Sequence, residues 1–150
     1  MPSSKLTLAE RRPPSEALPG FDLDLTGLSK LRSLAQVQRL RRRQRVALFA
    51  PDNVYIVRSG LMAVEGAPVV NTRSILELLY PGDIVVPGLQ APIADLGLTA
   101  TTSAELWRLS AHTFMQEMHR DNALADLVFH KLNAQRARIQ LHVAVLAGLA

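Results

Sequence analysis

The sequence contains no cysteine. Disulfides, thiolate-ligated zinc, iron–sulfur clusters and a cysteine nucleophile are therefore excluded. No apolar run approaches the roughly 20 residues that a bilayer crossing requires, and the N-terminus lacks a signal-like apolar stretch. Together these absences predict a cytoplasmic domain without a membrane span. Catalytic patterns are missing too. There is no Gly-rich phosphate loop and no Gly-x-Ser-x-Gly elbow, and Asp83 and Asp95 have no evident general-base partner. His112, His119, His130 and His142 never fall at the i, i+4 spacing of a helical zinc site. The expectation is no catalytic residue, no metal site and no enzyme. No internal repeat is evident.

What is present describes one folded domain. In 150 residues, 48% are hydrophobic and 20% charged, and the mean hydropathy is +0.11, far from the composition of disordered chains. The net charge of +4 and the pI near 10.1 suggest an anionic partner. The excess is concentrated in Arg39, Arg41, Arg42, Arg43 and Arg45, which by themselves read as a solvated strand or loop edge.

Residues 1–20 are rich in Pro and Ser and read as a mobile arm. Leu23 to Leu34 predicts a short helix, with Thr26 as cap and Leu28, Leu31 and Leu34 at helical spacing. Short apolar runs then alternate with turn residues. Val46–Phe49, Val54–Val57, Leu61–Glu65, Val69–Val70, Ser74–Leu79 and Ile84–Val86 are predicted strands, and Ala104–Leu109 is a final one. This texture predicts a mainly β fold, an antiparallel double-stranded β-helix or jelly roll over 21–109. Over 110–150, Ser110 caps a short helix carrying Phe114, Met115 and Met118, and Asp121 or Asn122 caps a long one reaching about Leu146. On the long helix Ala125, Val128, Leu132, Gln135, Ile139, His142 and Leu146 recur at steps of three and four, the seam of a coiled coil. Leu124, Leu127 and Leu141 form a second stripe suited to packing on the chain's own barrel. The expected homodimer interface is Val128, Leu132, Gln135, Ile139, His142 and Leu146.

Three segments in order narrow this further: Val54-Tyr55-Ile56-Val57-Arg58-Ser59-Gly60, Leu78-Leu79-Tyr80-Pro81-Gly82-Asp83-Ile84, and Ala104-Glu105-Leu106-Trp107-Arg108-Leu109 before the Phe114 helix. Together they resemble the cyclic-nucleotide-binding β-roll of the Crp/Fnr transcriptional regulators, from about Leu25 to the C-terminus. The resemblance implies a roll that senses a small effector, a long helix that dimerises, and a following helix-turn-helix domain that reads DNA. It places effector-pocket candidates at Gly82, Asp83, Val86, Pro87, Gly88, Ala94, Asp95 and Arg138. The family's ribose-binding Gly-Glu positions match Val86 and Pro87, and its phosphate-binding Arg-Ser positions match Ala94 and Asp95. Without that Arg a cyclic phosphate loses its bidentate charge partner, and Asp95 would repel it. Arg138 and Ile139 match the positions that meet the base, without the usual hydroxyls.

A cyclic nucleotide is thus disfavoured, and the pocket between Val86 and Leu98 is expected to be degenerate, self-filled or specific for another effector. No cofactor is predicted. Haem held by His142 is an alternative to that residue's part as a polar seam position beside Gln135. Because the chain stops where a reading domain would begin, DNA contact is expected only through a domain outside it, and the apolar end at Leu149-Ala150 suggests a truncated regulator. Two other functions fit less well: a stand-alone module that heterodimerises with a full-length paralogue, and a nucleic-acid-binding module that uses the arginine knot.

Overall fold

The computed structural model describes residues 27–48, 52–69, 72–86 and 94–149. In chain order they form a short helix α1 (Ser29–Arg32), then β1 (Gln36–Leu40), β2 (Arg45–Ala47), β3 (Asn53–Ser59), β4 (Met62–Val69), β5 (Thr72–Leu79) and β6 (Ile84–Val85). After these come β7 (Ala94–Ala100), β8 (Ala104–Ser110), and two further helices, α2 (Ala111–Arg120) and α3 (Asn122–Leu149). The strands make two four-stranded antiparallel sheets, ordered β1-β8-β3-β6 and β2-β7-β4-β5. Because the chain repeatedly changes sheets, the two are wound into the expected antiparallel roll.

Side-chain alternation explains the layers. Tyr55 and Val57 of β3 face inward with Val85, Leu106, Met62, Val64, Leu79 and Leu98, filling the space between the sheets. Val54 and Ile56 face outward with Ile84, Trp107 and Leu109, and onto them pack Leu28 and Leu31 of α1, Phe114 of α2, and Leu124 and Val128 of α3. Each fully buried Leu, Ile or Phe contributes roughly 1.5–3 kcal/mol of transfer free energy. The helix starts follow their caps. Ser110 Oγ accepts from the Thr113 N–H at 3.0 Å, and Asp121 Oδ1 accepts from the Leu124 N–H at 3.1 Å. Lys30 of α1 also donates to Asp121, which stitches α1 to the corner between α2 and α3.

Three segments differ from the sequence reading. Gln36–Leu40 is a strand that its mostly exposed, polar pattern had hidden. Ala94–Ala100, of which only Ala94 and Asp95 are considered above, is a strand paired with both β2 and β4. Leu61–Glu65 and Val69–Val70 become the single strand Met62–Val69, which keeps its pairing across two register shifts. The first helix is described only over Ser29–Arg32; Thr26 and the arm lie outside the described residues.

Gly60 shows how tightly the strand ends meet. Its φ is +83°, and a Cβ there would lie 2.3 Å from the Ser103 carbonyl oxygen. Replacing Gly60 by Ala is expected to cost about 3 kcal/mol, from left-handed strain plus a backbone clash, measured by urea denaturation.

Candidate functional site

The turn from β5 to β6 is built by Tyr80-Pro81-Gly82-Asp83. Pro presets one φ and Gly82 supplies a φ of +94°. The Asp83 N–H donates back to the Tyr80 carbonyl at 2.9 Å, and the Asp83 carboxylate accepts from the Tyr80 N–H at 2.8 Å. Gly82 N–H donates to Val57 O, and Val57 N–H donates to Asp83 O, so the turn is hung directly on the central strand β3.

Asp83 is buried, yet it carries a charge partner from a segment 55 residues away. Arg138 of α3 donates Nη1 to Asp83 Oδ1 at 3.3 Å and Nη2 to Oδ2. Its Nη2 also donates to the Leu78 carbonyl at 3.4 Å, and its guanidinium lies 5.0 Å from the centre of the Tyr80 ring. Burial pushes the Asp83 carboxyl above its ordinary range, against the pull of Arg138, the Tyr80 N–H and Lys131. A bidentate guanidinium–carboxylate pair of this kind fixes orientation as well as charge.

One turn earlier on α3, Gln135 makes a second tie. Its Oε1 accepts from the Ile84 N–H at 2.7 Å and its Nε2 donates to the Ile84 carbonyl at 3.0 Å. β6 is the outer strand of its sheet, so its free edge must find partners. The Gln135 amide acts as a one-residue strand that closes this edge. Asp83–Arg138 and Ile84–Gln135 thus join adjacent residues of the roll to successive turns of α3.

Beside these ties a cleft of about 210 Å³ opens between roll and helix, lined by Glu77, Ile84, Val86, Leu132, Gln135, Arg136, Ile139 and Gln140. Glu77 is the acid at its wall, bonded to Gln135. Burial raises its carboxyl above the ordinary 4.5, and Asp83 adds to this, while Arg138 and Gln135 oppose it. A carboxyl raised on folding binds more protons in the folded state, so stability falls as pH climbs from about 4.5 through the raised value. Glu77→Gln is expected to raise the melting temperature at pH 7, leave it unchanged near pH 4, and flatten the decline between. Equal effects at both pH values would contradict the assignment.

The sequence candidates divide among different places. Gly82, Asp83 and Arg138 do converge, around a hollow of only about 40 Å³ that suits a water. Arg138 is therefore engaged by the turn and does not face a base. Val86 lies on the helix side of the roll and lines the larger cleft, whereas Leu98 is fully buried between the sheets. The two belong to different cores, so among the described residues they do not line one pocket. Pro87 and Gly88 lie outside the described residues. Ala94 and Asp95 begin β7, with side chains outside the description.

Of the expected dimer residues, Val128 and Gln135 are buried against the roll of their own chain, and both are corrected to contacts within it. Leu132 and Ile139 are half-buried; the side chains of His142 and Leu146 lie outside the description. His112, His119 and His130 are exposed on their helices, and the described cleft lining holds no histidine that could ligate haem. Sequence reasoning missed Glu77 and the edge-closing part of Gln135. A polar residue on an apolar helical stripe was the available signal.

Solved structures carry the same roll-and-helix arrangement. A CooA mutant from Carboxydothermus hydrogenoformans is similar over 85% of this chain and 82% of its own, with 18% identity and a TM-score of 0.63. CLP, the c-di-GMP-responsive global regulator of Xanthomonas campestris, matches over 83% of this chain and 63% of its own, with 16% identity and a TM-score of 0.66. These regulators share its fold. The catabolite activator protein of Thermus thermophilus shares this fold over 85% of this chain, with 19% identity and a TM-score of 0.58. The match spans 60% of that chain, so the fold here corresponds to little more than half of the activator. No protein-family model matches the sequence, and no curated protein does. Among the described residues no helix is long and apolar enough to cross a membrane.

Proposed function

We propose that the chain is the effector-sensing and dimerisation part of a cytoplasmic Crp/Fnr-type transcription regulator, not an enzyme. The observation that carries this is the double tie of Asp83–Arg138 and Ile84–Gln135, which couples the wall of the cleft to the long helix. A small effector seated against Glu77, Ile84, Val86 and Ile139 would bias the position of that helix, as far as it binds one position better than the other. The cleft offers one acid, one exposed arginine (Arg136) and an apolar floor, so the effector fits as a compact polar molecule and not as a cyclic nucleotide held by a buried arginine. In the whole regulator DNA is read by a domain outside these 150 residues, and helix position sets the spacing of two reading units.

The homodimer forms through α3. With Val128 and Gln135 occupied by the roll, and Leu132, Arg136 and Ile139 lining the cleft, the side of α3 left for a partner is the one that carries Phe129. Phe129 is 63% exposed on this side of the helix. Light scattering at micromolar concentration is expected to give a dimer mass. Phe129→Glu is expected to weaken the dimer by tenfold or more, roughly what losing an aromatic anchor costs, with the roll still folded. A monomeric parent chain, or a dimer indifferent to Phe129→Glu, would overturn this reading.

A further inference from the structure

The end of the roll where β1 meets β2 is a concentrated positive surface. Three turns gather there. The Arg43 N–H donates to the Ala100 carbonyl at 2.7 Å, the Ala100 N–H donates to the Gln44 carbonyl at 2.9 Å, and the Thr101 N–H donates to the Leu61 carbonyl at 2.9 Å. Leu40 pairs with Ala104, which sets Arg41 beside the 101–103 turn. Arg39 and Arg58 lie at the same end and share Glu105, at 3.4 Å and 3.7 Å. Arg41, Arg42 and Arg43 are exposed and make no ion pair among the described residues. Five arginines against one glutamate leave this end with four positive charges, equal to the formal net charge of the whole chain.

Two properties separate this surface from a solvated edge and from a protein-docking patch. Arg43 holds a φ of +75°, a left-handed conformation that glycine or asparagine would adopt more easily. Its side chain is exposed, as are those of Arg41 and Arg42. The neighbours of the three arginines are Gln44, Thr101, Thr102 and Ser103, all exposed and polar, and none of the exposed large apolar side chains belongs to these turns. A protein interface needs an apolar or aromatic centre, which this surface does not provide. Base stacking needs aromatics, and these turns have none. Guanidinium forks ringed by hydroxyls suit the sugar–phosphate backbone of a duplex.

We infer that this end of the roll is a sequence-independent contact for the phosphate backbone of duplex DNA, made mainly by Arg41, Arg42 and Arg43. It does not depend on the effector reading: it needs neither the cleft nor the dimer. The test is fluorescence anisotropy of an arbitrary labelled duplex of about 20 base pairs, titrated with the chain at several salt concentrations. Each neutralised phosphate contributes about 0.9 to the slope of log affinity against log salt, so three contacts give a slope of about −3.

The triple variant Arg41→Gln, Arg42→Gln, Arg43→Gln is expected to lose at least about tenfold in affinity at low salt and most of the slope. Its melting temperature reports folding, and single Arg41→Gln and Arg42→Gln variants should each lower the slope by about one. Arg120→Gln, on α2 and outside these turns, should change neither. Absence of binding at low salt, binding unaffected by the triple variant, or equal affinity for polyglutamate would overturn the inference.

Discussion

Asp83→Ala is expected to destabilise the fold by about 3 kcal/mol, because it strands the Arg138 guanidinium in a part-buried site and removes the acceptor for the Tyr80 N–H. The figure is at the lower end of what breaking a buried pair costs, since Arg138 keeps 23% side-chain exposure and its contacts to Leu78 and Tyr80. Asp83→Asn should cost less, because the amide still accepts from the turn. Removing both members, as Asp83→Asn with Arg138→Gln, should cost less than the sum of the single changes. Equilibrium urea denaturation of the four proteins measures this. Additive single changes would mean that the pair does not act as a unit.

Gln135→Ala is expected to cost about 2–4 kcal/mol, since it leaves both backbone groups of Ile84 unpaired at a buried sheet edge. Gln135→Leu separates packing from pairing: it restores apolar volume but neither hydrogen bond, and is expected to be nearly as unstable as the alanine variant. Glu is a partial substitute, because its carboxylate can still accept from the Ile84 N–H but cannot donate to the carbonyl. A leucine variant as stable as the parent would show that the edge needs only cover, and would remove Gln135 from the coupling.

Much of this architecture is legible in the chain. Alternation in β3, with Val54 and Ile56 on one face and Tyr55 and Val57 on the other, serves two cores, which is why the segment reads as a continuous apolar run. The Tyr80–Asp83 turn and the caps Ser110 and Asp121 are local chemistry, decided within four residues, and the structure contains all three. What was hidden depends on distant partners. Among the described residues Gln36–Leu40 pairs only with β8, and its exposed polar face imitates a loop. Ala94–Ala100 contains Gly97, which leaves room for the Arg45 side chain across the sheet and weakens any strand pattern.

The helix shows the limit most plainly. A three–four apolar period marks a buried stripe but not the surface that buries it, so Val128 and Gln135 looked like a seam with a second chain while they pack on their own. Gln135 and Arg138 have the polarity expected of register or effector contacts. Only the positions of Ile84 and Asp83, 51 and 55 residues earlier, show them closing an edge and holding a turn.

The coupling of turn to helix is tested most directly by amide hydrogen exchange of the parent chain and Asp83→Asn. The account predicts that the α3 amides from about Lys131 to Leu141 and those of Ile84 and Val85 lose protection together, while β7 and β4 keep theirs. Loss confined to the Tyr80–Asp83 turn, with α3 as protected as before, would contradict it.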